Sequence, residues 1–310
     1  MSSTAGAGAL PRRPRGPTVL QAGQLATLGL LLALAAVAWL LTDSRMAGMD
    51  AGPGTDPGAF SFYVVTWVVM MAAMMFPSIA PMVLMHRNLE AGRRACGQPT
   101  AGGTTALFVA GYLAVWGASG LLAYGALKLG RSLDGGLLAW HRGGRWTAAI
   151  LLLAAAAYEL TPAKRACLTR CRSPLAFLIG SWREGRSGAL SMGINHGAWC
   201  LGCCWMLMIA LFALGAMSIP WMIVISVLIA AEKLLPWRRV GTLGVAVVLA
   251  ALAIGVASAP QNVPALTVPG SPSAMRATSA MQDPATRMSG SMDSGSMKSG
   301  STGSSTAMGK

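Results

Sequence analysis

Charged residues are scarce in this chain of 310 residues: they make up 11% of it, against about 25% in a typical soluble domain. Hydrophobic residues account for 54% of the chain, and its mean hydropathy is +0.55. So little charge beside so many apolar side chains is typical of a protein whose solvent is lipid. The composition therefore argues against an ordinary soluble domain.

Acidic residues are especially few, with 10 Asp and Glu against 24 Lys and Arg. The basic excess does not indicate a nucleic-acid partner, because the Lys and Arg residues fall between apolar runs and form no aromatic-interleaved basic face. The sequence also lacks a catalytic triad, a phosphate-cradling loop and a nucleotide-binding motif. These absences argue against an ATP-driven pump and favour a protein that is not an enzyme.

Long apolar runs dominate what is present. About 20 apolar residues cross the roughly 30 Å hydrocarbon core, and lipid offers exposed backbone groups no partners, so each run should be helical. The sequence predicts an all-α, polytopic transmembrane helix bundle of about seven spans (six to seven). The seven segments are 24–41, 62–85, 104–129, 145–161, 196–217, 219–235 and 240–258. The span 219–235 is the least regular, because Glu232 and Lys233 lie near its end.

The two ends of the chain have a different composition. Residues 1–23 are basic, and the apolar run 25–41 is too long for a cleaved signal peptide and lacks a small-x-small site, which predicts a signal anchor. Residues 259–310 are rich in Met, Ser and Gly and have no apolar period, which is typical of disorder. We therefore expect a membrane domain over 24–258 between a disordered basic N-terminus and a disordered Met-rich tail.

Lys and Arg residues concentrate in alternate connections, above all between 162 and 195. By the positive-inside rule this pattern predicts a cytoplasmic N-terminus and a C-terminal tail on the outer, periplasmic or extracellular, side of the membrane. The connection with Arg131, Arg142 and Arg145 is more basic than an outer loop should be. The sequence gives no indication of the oligomeric state.

The stretch HGAWCLGCCW (196–205) places four soft ligands within nine residues. At 100° per residue, His196, Cys200, Cys203 and Cys204 share an arc of about 100° on a helix. Thiolate and imidazole favour Cu(I) or Zn(II), and other helices must complete such a site. Two further interpretations stay open: a dithiol redox pair, since CxxC is also a redox spacing, and simple packing of small side chains between membrane helices.

Methionines form a second pattern. Met71, Met74 and Met75 lie on one face of the second predicted span, although Pro77 and Pro81 should kink that helix. Thioethers suit Cu(I) and are nearly useless for Zn or Mg, but methionine is also an ordinary packing residue. Further methionines lie in polar segments, where they are either copper collectors or compositional drift: Met46, Met49, Met288, Met292 and Met297.

Three charged residues lie within or near the spans. Glu159 is at membrane depth and is a candidate for metal binding or proton transfer; otherwise it is an end residue paired with Lys164 or an arginine. Glu232 and Lys233 are adjacent and close to the interface, so we expect a solvated pair.

Two more cysteines, Cys167 and Cys171, lie four residues apart in a basic segment. They could form a second metal or thiol pair, but two ligands without a third are a weak signal. The remaining cysteine, Cys96, suggests no role.

Three stretches together resemble a bacterial family of predicted metal-binding integral membrane proteins, some of whose members are labelled copper chaperones. They are VVMMAAMMFPSIAPM (68–82), YELTPAKRACLTRCRSP (158–174) and GINHGAWCLGCCWMLMIALFALGAM (193–217), followed by EK at 232–233. The resemblance covers about residues 60–235. It implies a polytopic metal-handling protein of a bacterial inner membrane, with its ligands in the block from His196 to Trp205.

The sequence thus predicts an integral membrane protein that binds copper as Cu(I), or else zinc, and acts as a chaperone or transporter with a metal-receiving protein as partner. The competing hypotheses are a membrane thiol oxidoreductase or an assembly factor for a membrane metalloenzyme. A structural membrane subunit without metal is a third.

Overall fold

The computed structural model describes residues 19–46, 50, 52–53, 59–133, 140–235 and 237–282. Within these residues the chain forms ten α-helices and no β-strand, which confirms the all-α prediction. The helices are α1 (Val19–Met46), α2 (Phe60–Ala95), α3 (Thr104–Leu133), α4 (Arg145–Glu159), α5 (Pro162–Arg172), α6 (Pro174–Ser181), α7 (Gly185–Leu214), α8 (Ile219–Leu234), α9 (Arg238–Ser258) and α10 (Pro272–Gln282). A π-helical turn, Trp140–Gly144, leads into α4, and a 3₁₀ turn, Pro260–Asn262, follows α9.

Five helices of the described chain are long and apolar enough to cross a membrane, namely α1, α2, α3, α7 and α9. The pair α4 and α5 would make a sixth span, although the two helices are bent by 65° at their junction. The outer faces of the spans are apolar: Leu40, Leu122 and Ile254 are each more than two thirds exposed. Large apolar side chains on the outside are what a lipid environment requires.

All seven predicted segments are helical, but two of them are too short to cross the bilayer alone. α8 has 16 residues, and α4 has 15. At 1.5 Å per residue each is about 22–24 Å long, which is less than the roughly 30 Å hydrocarbon core. By length and composition the described residues therefore contain five candidate spans, or six with the bent pair, against the predicted six to seven.

The prolines of α2 do not end the helix. α2 runs from Phe60 to Ala95 through Pro77 and Pro81. Each proline removes one backbone donor, yet the helix continues past both. Between the two prolines the hydroxyl of Ser78 donates to the carbonyl oxygen of Met75 at 2.9 Å. The methionine-rich stretch therefore belongs to one continuous helix.

The close approach of α3 to α7 depends on glycine. A Cβ atom on Gly193 would overlap the carbonyl oxygen of Phe108, and one on Gly111 would overlap that of Leu190. Small residues at such contacts let helix backbones pack directly in membranes. This contact holds the cysteine-bearing half of α7 against Tyr112 of α3.

One end of the bundle, called the first end below, consists of the C-termini of α1, α7 and α9 and the N-terminus of α2. α7 stops there at Gly215, whose φ of +113° is readily adopted only by glycine. The hydroxyl of Thr267, after α9, donates to Asp50 Oδ2 at 2.9 Å. The connection after α1 and the segment after α9 therefore lie on the same side of the bundle.

The segment after α9 differs from the expected disordered tail. Residues 260–282 carry a 3₁₀ turn and α10, and the side chains of Val263, Ala274 and Ala277 are buried. Val263 belongs to the hydrophobic core of the bundle, and Leu266 and Val268 pack against that core. The composition of the segment did not predict this packing. Met49, Met288, Met292 and Met297 lie outside the described residues.

Candidate metal centre

Three thiols of α7 form the centre of the site. Cys200, Cys203 and Cys204 are at most 1% exposed, and their Sγ atoms all lie within 4.8 Å of one another. The spacing i, i+3, i+4 produces this cluster, as the sequence predicted. Two sulfurs bound to one ion at about 2.3 Å can be at most about 4.6 Å apart. The three thiols are therefore close to the separation at which they could share an ion.

α5 brings a fourth sulfur to the same place. The Sγ atom of Cys171 lies 3.8 Å from that of Cys203. Cys167, one turn earlier, packs against α7 as well, since a Cβ atom on Gly202 would lie 3.0 Å from its sulfur. The cysteines of α5 are thus not a separate pair, because the bend between α4 and α5 directs them onto α7.

A cation and a phenol contact the first of these thiols. Lys233 Nζ of α8 lies 2.9 Å from Cys200 Sγ and 3.4 Å from Ser78 Oγ, and the Tyr112 hydroxyl lies 3.1 Å from the same sulfur. An ammonium group at this distance is an electrostatic partner for a thiolate. The expectation that Lys233 and Glu232 form a solvated pair is wrong, because α8 folds into the bundle and carries both residues inward.

A second group of charges lies behind the cysteines. Lys164 Nζ is 2.8 Å from Glu159 Oε1 and 2.8 Å from Glu232 Oε2, and all three side chains are at most 3% exposed. Arg172 donates to the carbonyl oxygens of Glu232 and Leu235 at the end of α8. These contacts tie α4, α5 and α8 together, because buried carboxylates need their cation.

Glu159 is therefore placed with Lys164 rather than in the thiol group. The sequence allows two roles for Glu159: metal binding or proton transfer, or an end residue that reaches toward water and pairs with Lys164 or an arginine. Instead the carboxylate is fully buried.

His196 also lies apart from the thiol group. Its imidazole ring packs against Phe108, Tyr112 and Phe177 at centroid distances of 5.2–6.1 Å. It is buried, and Nδ1 has no hydrogen-bond partner within the described part of the chain. The histidine and the thiols share one helical face, as predicted, but the structure does not bring the imidazole into the group whose atoms lie within 4.8 Å of one another.

Met71, Met74 and Met75 are at most 1% exposed. Ser78 follows Met71 by seven residues and Met75 by three, so it shares their helical face. Because Ser78 contacts Lys233, this face of α2 is directed toward the side of the bundle that holds Cys200. The helical face that carries these methionines is thus the one that contacts Lys233, the residue whose ammonium group lies beside Cys200.

Other methionines line a cavity of about 30 Å³ at the first end. Met46 of α1, Met70 of α2 and Met217 of the α7–α8 connection contribute to its wall. Tyr63 and Thr66 also line it, and their hydroxyls are buried without a hydrogen-bond partner among the described residues. Met46, which the sequence places in a polar outer segment, is buried at the end of α1.

Three side chains around the thiols had no place in the site predicted from the sequence: Lys233, Tyr112 and Cys171. The block EK at 232–233 belongs to the family resemblance, and it is the available signal for Lys233. Tyr112 carries no signal in the sequence, because a tyrosine in an apolar helix is an ordinary packing residue.

Within the described residues the chain is all-helical, with five or six candidate membrane spans and a buried group of thiols. These features define a class of helical membrane proteins that can hold a soft metal ion. Residues 64–256 match the family PpoB2, described as copper chaperone. The chain belongs to this family, and the predicted resemblance is confirmed. No curated protein and no solved structure matches the chain.

Proposed function

We propose that this protein binds Cu(I) at Cys200, Cys203 and Cys204 within a bacterial inner membrane and passes the ion to an acceptor. The observation that carries the proposal is the cluster itself: three buried thiols within 4.8 Å of one another, with a fourth 3.8 Å from Cys203. Thiolates are soft ligands that suit Cu(I) and Zn(II) and disfavour hard cations. Membership of a copper chaperone family favours copper of the two.

Charge balance supports a metal–thiolate centre at this depth. An ion such as Cu(I) with two thiolates carries one negative charge, and an uncompensated charge is costly in a low-dielectric interior. Lys233 Nζ, 2.9 Å from Cys200 Sγ, supplies one positive charge at the required place. The bundle is therefore built to accept a negatively charged centre.

The path of the ion begins at the first end, which we place on the outer side of the membrane with the N-terminus in the cytoplasm. Thioethers are neutral and soft, and they tolerate an oxidising compartment better than thiols do. Met46, Met70 and Met217 line the cavity there. The buried face of Met71, Met74 and Met75 continues from this end toward Lys233 and Cys200. We assign to these methionines the relay of Cu(I) to the thiols.

The test is copper retention by the full chain purified in detergent. Loaded with Cu(I) under reducing conditions, the wild-type protein should hold about one ion per chain. The variant C200S/C203S/C204S should lose it, while C96S, which changes an exposed cysteine, should not. Helix content and gel-filtration behaviour show whether the triple variant is folded. A folded triple variant with undiminished copper would reject the assignment.

A thiol oxidoreductase is the rival function, and the 3.8 Å between the sulfurs of Cys171 and Cys203 favours it over an assembly factor or a metal-free structural subunit. All six cysteines are free in the structure. Trapping the thiols by alkylation in cells separates the two functions: a redox protein cycles through a Cys171–Cys203 disulfide, whereas a copper carrier keeps both thiols reduced.

A further inference from the structure

We infer that Cys171 is a transfer ligand, which takes Cu(I) from the thiols of α7 and presents it on the basic face of α5 to a small anionic thiol. This inference rests on the proposed function and adds the exit route and the chemistry of the acceptor.

The first observation is that the cysteines of α7 and those of α5 differ in their exposure to solvent. Cys200, Cys203 and Cys204 are closed off from solvent, whereas Cys167 and Cys171 are only partly buried. An acceptor cannot reach an ion held by the α7 thiols alone. It can approach one that is bound to a sulfur of α5.

The second observation is the distance between the two helices' sulfurs. Ligands bound at about 2.3 Å with tetrahedral angles are about 3.8 Å apart. The Sγ atoms of Cys171 and Cys203 are separated by 3.8 Å. One ion can therefore bind Cys203 and Cys171 together without movement of α5 or α7.

The third observation is the charge of α5. The helix reads PAKRACLTRCR and contains no acidic residue. Lys164 is buried beside the carboxylates of Glu159 and Glu232. Arg165 and Arg170 are exposed and lie on either side of Cys167 in the sequence. The guanidinium carbon of Arg170 lies 4.2 Å from the centre of the Trp199 ring. A thiol that carries carboxylates, such as glutathione, matches this face. A small acceptor suits a sulfur that is only partly exposed.

The transfer is a ligand exchange and changes no oxidation state. The Cu–S bond to Cys203 breaks as the bond to Cys171 forms, and the proton of the Cys171 thiol passes to the released Cys203 thiolate. A first acceptor thiol then displaces the remaining α7 thiolate from the ion, and a second displaces Cys171. Each acceptor gives its proton to the thiolate that it displaces, so Cu(I) leaves with two acceptor thiolates. Copper remains Cu(I) throughout, so the step requires no oxidant or reductant.

The experiment measures how fast the Cu(I)-loaded full chain in detergent transfers its ion to glutathione without oxygen. The variant C171S should keep its copper and transfer it about tenfold or more slowly. C96S should transfer at the wild-type rate. R165Q/R170Q should slow transfer to glutathione but not to the uncharged thiol 2-mercaptoethanol, because only the anionic acceptor uses the basic face.

Alkylation of the wild-type protein provides a measurement that does not depend on a variant. Copper should slow the reaction of Cys171 with N-ethylmaleimide without blocking it, because the ion occupies this sulfur for part of the time, while Cys96 should react equally with and without copper. An unchanged rate at Cys171 would overturn the inference. Wild-type transfer rates in C171S would overturn the inference, and so would complete loss of copper from C171S, which would make Cys171 a permanent ligand. A wild-type protein that holds no copper would instead refute the proposed function, and the inference with it.

Discussion

The ammonium nitrogen of Lys233 lies 2.9 Å from the sulfur of Cys200, although 33 residues separate the two in sequence. The contact joins the end of α8 to the middle of α7, and Tyr112 of α3 completes the surroundings of the same sulfur at 3.1 Å. A fixed positive charge is thus built against the first thiol of the candidate metal centre.

Replacing Lys233 by Met should weaken Cu(I) binding by about 10–100-fold, the usual cost of losing a group that supports metal ligands. The substitution keeps the length and apolar stem of the side chain but removes the charge that balances the thiolates. Competition with a chromophoric Cu(I) chelator measures the affinity. K128M, which changes a lysine of α3 beside Tyr124, is the matched control. Equal affinities of K233M and the wild-type protein would contradict the charge-balance argument.

Replacing Lys164 by Met should destabilise the protein by about 3–5 kcal/mol, because Glu159 and Glu232 would remain buried without a cation. Thermal unfolding in detergent checks this. R165M, at the next, exposed position of α5, should leave the melting temperature nearly unchanged. Adding E159Q and E232Q to K164M should recover part of the lost stability, and no recovery would show that the carboxylates are not the cause.

The substitution M71L/M74L/M75L should slow the loading of the cysteine cluster without lowering its final copper content. Leucine preserves the packing of these buried positions but has no sulfur to relay Cu(I). The loading rate can be followed with Cu(I) added to the metal-free protein. M192L changes an equally buried methionine of α7 and serves as the control. If both variants load at the same rate, methionines of α2 have no part in the path.

Gly193→Ala should separate α3 from α7 and destabilise the bundle, because the new Cβ atom would overlap the carbonyl oxygen of Phe108. Gly125→Ala is the matched control, since no atom lies within 4 Å of a Cβ at that position of α3. In an open site this change usually stabilises a helix by about 0.5–1 kcal/mol. Opposite shifts in melting temperature are expected, and equal shifts would argue against direct backbone packing.

The sequence alone determined the features that depend on neighbours within one helix. The length of the apolar runs predicted the seven helical segments, because in lipid the backbone N–H and C=O groups can form hydrogen bonds only with one another. The spacing of Cys200, Cys203 and Cys204 predicted that their side chains share a face, because the helical repeat fixes that angle. The motifs around them also predicted the family.

Only the tertiary structure decided which separate segments meet. The 65° bend between α4 and α5 brings Cys171 to Cys203, and the inward course of α8 carries Lys233 to Cys200 and Glu232 to Lys164. The packing of aromatic rings around His196 keeps its imidazole out of the thiol group. The helical repeat of the sequence does not predict these contacts, because they depend on the angles at which helices cross and on the side chains available to pair a buried charge.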